Sequence, residues 1–168
     1  MPDAVGVSVT MPDQMLTRQW SVLQFKQDGP PLVALVNSAY RAFSHKADFP
    51  WCLLISVPLT QPTPVGLATE TESQGLERFQ QQTIAPLLDA NCSWHLVVRT
   101  THAGVRDMLF YIDDPERVIP ALNNLLTFGK ARPFTFGALQ DADWQTADRY
   151  LNPPPTTRSA WLPWRRRH

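Results

Sequence analysis

The run Trp51-Cys52-Leu53-Leu54-Ile55-Ser56-Val57 is the most constraining stretch of this chain. It carries no charge, shows no strict alternation, and lies between Pro50 and Pro58. A short apolar run of that kind predicts a strand buried on both faces. The flanking prolines limit its length, because proline has no N–H for a ladder and biases its predecessor towards extended backbone. Such a strand has to lie inside a sheet, with strands on either side and apolar layers above and below.

The surrounding sequence supplies them. Trp20 to Lys26 alternates, with Trp20, Val22 and Gln24 on one face and Leu23 and Phe25 on the other. Asp28-Gly29-Pro30-Pro31 is a turn, and Leu32 to Val36 is a β-branched return strand, so the two runs predict a hairpin. Asn37 to Phe49 fits either a short helix or an irregular crossing. Thr69 opens a helix with a capping-box pattern, Glu72 standing three residues on. Leu76, Phe79, Thr83, Ile84, Leu87 and Leu88 give its apolar stripe, Pro86 predicts a kink, and Asn91 a stop. Trp94–Thr101 and Val105–Asp113 predict a second hairpin through His102-Ala103-Gly104. Met108, Phe110 and Ile112 share one of its faces, and Leu109 and Tyr111 the other. Asp114-Pro115-Glu116 marks a helix start, Val118, Ile119, Leu122, Leu125 and Leu126 its buried stripe, and Gly129 its end. Pro120 predicts a bend in it. A last strand follows over Arg132–Leu139. Asp141 or Asp143 then caps a short helix carrying Trp144, Ala147, Tyr150 and Leu151.

From Trp51 the order is strand, helix, strand, strand, helix, strand, the ferredoxin-like βαββαβ order. The predicted fold is therefore α+β: a ferredoxin-like core preceded by a β-hairpin. Its sheet is mostly antiparallel, of about six strands, with helices on one face. Residues 17–152 form one domain in this reading. Residues 1–16 are expected to be a flexible leader, in which Met1-Pro2-Asp3 recurs as Met11-Pro12-Asp13; Met11 as the start and a short edge strand through Val5, Val7 and Val9 are alternatives. Residues 153–168 form a tail rich in Pro, Trp and Arg.

Charge narrows the function classes. The 168 residues hold 15 basic and 15 acidic side chains, and the sequence pI is 6.9. Setting aside the tail's four arginines leaves the remainder acidic. A general nucleic-acid binder is usually basic, so none is expected. Two cysteines exclude a disulfide framework. No apolar run reaches the roughly 20 residues of a membrane span, and Met1 to Thr10 shows no secretory signal, so a cytoplasmic location is expected.

Few residues point to chemistry. His45, His95, His102, His168, Cys52 and Cys92 include no C-x-x-C or H-E-x-x-H spacing, so no metal is expected. His95 and His102, seven apart on one strand, should face opposite sides. Cys92 and His95 are close enough in sequence to consider as a thiol–imidazole pair, but no third orienting group is evident, and no catalytic residue is assigned. No glycine-rich phosphate loop occurs, and no cofactor is expected. Arg99, Arg106 and Tyr111 are the candidate ligand-binding set, since arginine on a sheet face can take a carboxylate or phosphate bidentately. The plainer alternative is that Arg106 forms a structural ion pair with Asp107 or a loop carboxylate. In the tail, Trp161, Trp164, Arg165, Arg166 and Arg167 are the candidate partner-binding residues, being the residue types that anchor interfaces.

The ordered set of motifs resembles the uncharacterised family called domain of unknown function 695. Trp20, Gln24, Phe25, Gln27, Asp28 and Gly29, then Leu32-Val33 and Val36-Asn37, resemble its opening hairpin. Pro50-Trp51 with Val57-Pro58-Leu59 resembles its third strand. Gly66-Leu67 with Thr69 and Glu72 is similar to the start of its helix. Gly104, Arg106, Phe110, Tyr111, Asp114 and Pro115 resemble its most recognisable segment, and Asp143-Trp144, Tyr150 and Leu151 its closing helix. Pro120 departs from the pattern. The resemblance covers roughly Trp20 to Pro153 and carries no activity with it. A further similarity in pattern is to ribonuclease E regulator B-like domains, which inhibit an RNA-degrading endonuclease by binding it. It implies, by analogy, a protein-binding role.

Two function classes are thus carried forward. One is a non-catalytic protein-binding module that regulates or inhibits a partner such as a nuclease or toxin. The alternative is a binder of small anionic ligands, or an enzyme, using the sheet face around Arg106. Self-association through a sheet edge is a third.

Overall fold

The structure is a computed structural model that describes residues 19–25 and 28–153. The expected leader, and the tail from residue 154 with Trp161, Trp164, Arg165, Arg166 and Arg167, lie outside the described residues. The strands are β1 (Trp20–Phe25), β2 (Leu32–Asn37), β3 (Trp51–Pro58), β4 (Trp94–His102), β5 (Val105–Ile112) and β6 (Thr135–Gln140). They form one six-stranded sheet in the order β1-β2-β4-β5-β3-β6, and every pairing is antiparallel. The apolar run of β3 lies between β5 and β6, with Cys52 to Ile55 and Val57 buried.

The helices are α1 (Glu70–Phe79), α2 (Ala85–Asp89), α3 (Val118–Phe128) and α4 (Gln145–Leu151). They do not share one face, which corrects the sequence expectation. Leu76 and Phe79 of α1, Leu88 of α2, and Val118 and Leu122 of α3 pack with Leu53, Ile55, Val57, Met108 and Phe110. Ala147, Tyr150 and Leu151 of α4 pack on the other face, with Cys52, Leu54, Leu109 and Tyr111. The reason is the connection after β6. Trp144 adopts a left-handed backbone (φ 57°) at the head of α4. Its buried ring stacks on Tyr111 at 4.0 Å, and its indole N–H is shared between the carbonyls of Lys46 and Phe49. Asp141, not Asp143, caps α4: its carboxylate accepts from the N–H groups of Gln145 and Thr146.

The stretch that sequence left open forms two 3-10 turns, Ser38–Ala42 and Lys46–Asp48. Asn37 caps the first by accepting from the Ala39 N–H. The kink expected at Pro86 is a π-helical turn, Gln80–Ile84, joining α1 to α2 directly before the proline. Pro120 produces no break, because regular helix in α3 begins at Val118. Proline there stands in the first turn, where an N–H has no intrahelical partner. Half of the capping box forms. The Thr69 oxygen accepts from the Glu72 N–H, while the Glu72 side chain turns towards Thr60 and Arg132 instead of reaching back.

A bulge in β4 sets the faces of its second half. The register with β5 shifts between Leu96 and Val98, so Val97 and Val98 both enter the α4-side core. Arg99 and Thr101 thereby return to the face covered by α1.

Candidate functional site

Residues directly opposite across antiparallel strands share a face, so the register lays out the site in two rungs. One rung runs Val22, Leu35, Arg99, Met108, Ile55. The next runs Gln24, Val33, Thr101, Arg106, Val57. Arg99 and Arg106 therefore stand one rung apart on the α1 face. Tyr111 is not with them. It projects to the other face, where its hydroxyl donates to Asp141 and accepts from the Ala147 N–H. Grouping Tyr111 with the arginines is corrected by the pleat itself, since odd and even positions of β5 point to opposite sides.

Two ion pairs frame the arginines. Arg132 donates from Nη2 to Glu72 Oε1 at 2.6 Å and to the Pro58 carbonyl. Glu72 also accepts from the N–H and the hydroxyl of Thr60. Burial alone would raise this carboxyl, but the bonds from Arg132 and Thr60 outweigh it and hold it at about 2. Arg99 donates from Nη1 to Glu77, at 3.4 Å, and to Gln80. Its guanidinium lies over the Trp20 ring, 4.6 Å from the centroid. The loop that brings Thr60 to Glu72 is tied to the β4–β5 turn. Leu59 donates to the Gly104 carbonyl and Gly104 to that of Gly66. Gly66 has φ +83° and lies so near the Ala103 backbone that a Cβ would collide with it.

Arg106 is different. It is 9% exposed, and among the described residues it has no carboxylate within ion-pair distance. Its Nε donates to the Thr101 hydroxyl at 2.8 Å, which fixes the plane of the guanidinium. Among the described residues no other hydrogen bond reaches it. Burial lowers it to about 10, and the charge of Arg99 adds to the effect. The expected pair with Asp107 does not form, because Asp107 is on the opposite face, where it accepts from the Ser56 hydroxyl.

The thiol–imidazole pair does not assemble either. Cys92 packs against the core of the α1 face, and burial with nearby Asp113, Asp89 and Asp114 pushes its thiol up to about 12. His95 belongs to an aromatic nest on the other side of the sheet. Its Nδ1 is 2.8 Å from the Tyr40 hydroxyl, its ring meets Phe43 and Phe49, and burial lowers it to about 4. The bulge also puts His102 on that side, correcting the expectation of opposite faces. The two histidines have separate partners, since His102 pairs with the Pro31 carbonyl. Among the described residues no group of three or more His, Cys, Asp or Glu is placed to hold a metal ion. No helix among them is long and apolar enough to cross a membrane.

Sequence reasoning found Arg99 and Arg106 but missed Glu77, Gln80 and Arg132, and read Glu72 only as a cap. No local spacing links these residues; only the packing of α1 on the sheet brings them together.

Fold and site together define a small α+β domain, one antiparallel sheet with helices on both faces and an arginine cluster under α1. Residues 18–151 match a family of unknown function (DUF695), and the chain belongs to that family. No curated protein and no solved structure matches it.

Proposed function

We propose that this protein is a non-catalytic protein-binding module that regulates or inhibits a partner protein, of the nuclease- or toxin-neutralising type. The observation that carries the reading is the uncovered face of the first hairpin. Val22 is 59% exposed, and Val33 and Leu35 beside it are half-buried. They continue the rungs of Arg99 and Arg106 outward beyond the helices. Among the described strands β1 pairs only with β2, so its outer edge offers backbone donors and acceptors to an added strand. The described residues hold more acids than bases, with Asp89, Asp113, Asp114 and Glu116 gathered near the start of β4 and the end of β5. That balance favours a basic partner, since complementary charge speeds encounter.

The order β4-β5-β3-β6, with α1–α2 and α3 as crossovers, supports a ferredoxin-like core to which the hairpin is appended at β4. The pattern shared with ribonuclease E regulator B-like domains, and a cytoplasmic location, belong to the same reading. The Trp/Arg tail is a second contact in it.

A photo-crosslinker at position 22 of the intact chain, in cells of the native host, tests the reading. A single stoichiometric adduct that disappears with Leu35→Asp is expected. Absence of any adduct, from a folded protein, would sink it.

The alternative reading, an anionic-ligand binder around Arg106, is favoured by one specific observation, the unpaired state of that arginine.

A further inference from the structure

Three cations and two anions meet under α1, and their pairing is unequal. Arg132 is matched to Glu72, and Arg99 to Glu77 and Gln80. Among the described residues Arg106, 9% exposed, is left as one excess positive charge. An unpaired buried charge is expensive, so proteins normally provide a counter-ion or solvate the group. Here neither Glu72 nor Glu77 is turned to it; both are engaged by the other two arginines.

The geometry of the fork indicates what fits. Thr101 occupies Nε and holds the guanidinium plane, so the two terminal nitrogens remain as a pair of parallel donors. That is the planar, two-pronged donor set that matches a carboxylate. One carboxylate seated on the fork also balances the single excess positive charge, which a doubly charged phosphate group in the same place would exceed. The flanks are Val57 and Val33 on the same rung, Met108 on the next, and Arg99, which lies over Trp20 and pairs with Glu77 through Nη1 while its Nε is buried without a partner.

We infer that Arg106, positioned by Thr101 and bordered by Arg99, is a receptor for one carboxylate group. The carboxylate is either that of a free small acid or a side chain offered by a protein. The site does not depend on the partner proposed above, because it needs only the fork and its surroundings.

The test uses the full chain labelled with 15N-arginine. The Arg106 Nε–H resonance is assigned by its loss in Arg106→Lys and followed by NMR as each probe is added at constant ionic strength. The probes are acetate, succinate, an N-acetylated and amidated glutamate peptide, and sulfate as control. A saturable shift of the Arg106 signal with the carboxylates, and a much smaller one with sulfate, is expected. By calorimetry Arg106→Lys should weaken the best carboxylate roughly tenfold, because an ammonium cannot form the fork. Thr101→Val, which frees the guanidinium plane while leaving the charge, should weaken it less. Tighter binding of succinate assigns the free acid as the source; tighter binding of the peptide assigns a protein side chain. An Arg106 signal that moves with no carboxylate, or moves equally with sulfate, would overturn the site. Because the signal is read in the wild-type protein, misfolding of a variant cannot decide the result. A silent Arg106 alongside a crosslinked partner would refute this site alone.

Discussion

The two faces of β5 handle polar groups in opposite ways. On one face Tyr111 is buried under α4, and its hydroxyl both donates to Asp141 and accepts from Ala147. Asp141 in turn caps α4, and the Trp144 ring closes over the pair. Every member of that network has a partner within the chain. On the other face Arg106 is 9% exposed, and among the described residues only its Nε is engaged. A satisfied buried network makes a core unique and rigid. A buried polar group left without partners lowers stability. The first face stabilises the fold, and the second carries the proposed carboxylate receptor.

Three variants sharpen or break this contrast. Trp144→Ala should have the largest effect. It removes a fully buried indole, two carbonyl contacts and the stack on Tyr111. A loss of about 3–5 kcal/mol in chemical denaturation is expected for a cavity of that kind. Glu72→Gln should follow at about 3 kcal/mol, since it leaves Arg132 largely buried without its counter-charge. The pH dependence has a definite sign. The folded carboxyl is held at about 2, below its ordinary value of 4.5, by the bonds from Arg132 and Thr60. Its contribution is therefore present above pH 4.5 and lost as pH falls through 2. The stabilities of the wild type and Glu72→Gln should converge as pH falls over that window; a constant difference would mean that folding does not hold the carboxyl below its ordinary value. Tyr111→Phe should cost about 1–2 kcal/mol, because Asp141 keeps its two backbone donors but loses a third. An unchanged midpoint there would remove the distinction between the faces.

Much of this fold was legible because apolar pattern and turn chemistry are local. The run from Trp51 to Val57, the Asp28–Pro31 turn and the Met108/Phe110 against Leu109/Tyr111 alternation all place strands where they are observed. What was not legible is long-range. A left-handed Trp144 has no sequence signature, since the conformation is uncommon outside glycine and is held here by Tyr111 and the carbonyls of Lys46 and Phe49. It sends α4 to the second face. The bulge at Val97 is equally silent in sequence, as Leu96, Val97 and Val98 are all apolar. Strict alternation from Leu96 would turn Arg99 away from Arg106; the extra residue brings them to one face. The partners of Arg99 and Arg132 come from α1, far away in sequence, so a residue-by-residue reading has no means of pairing them.

The most direct measurement is the stability of Arg106→Met, without added carboxylate, by equilibrium denaturation at neutral pH. Methionine keeps most of the apolar stem and removes the unbalanced charge. If Arg106 is held for a ligand at the expense of the fold, the variant should be as stable as the wild type or up to about 2 kcal/mol more stable. A loss of more than about 2 kcal/mol, the scale of breaking a needed buried charge interaction, would show that Arg106 is a structural residue and contradict the contrast between the faces.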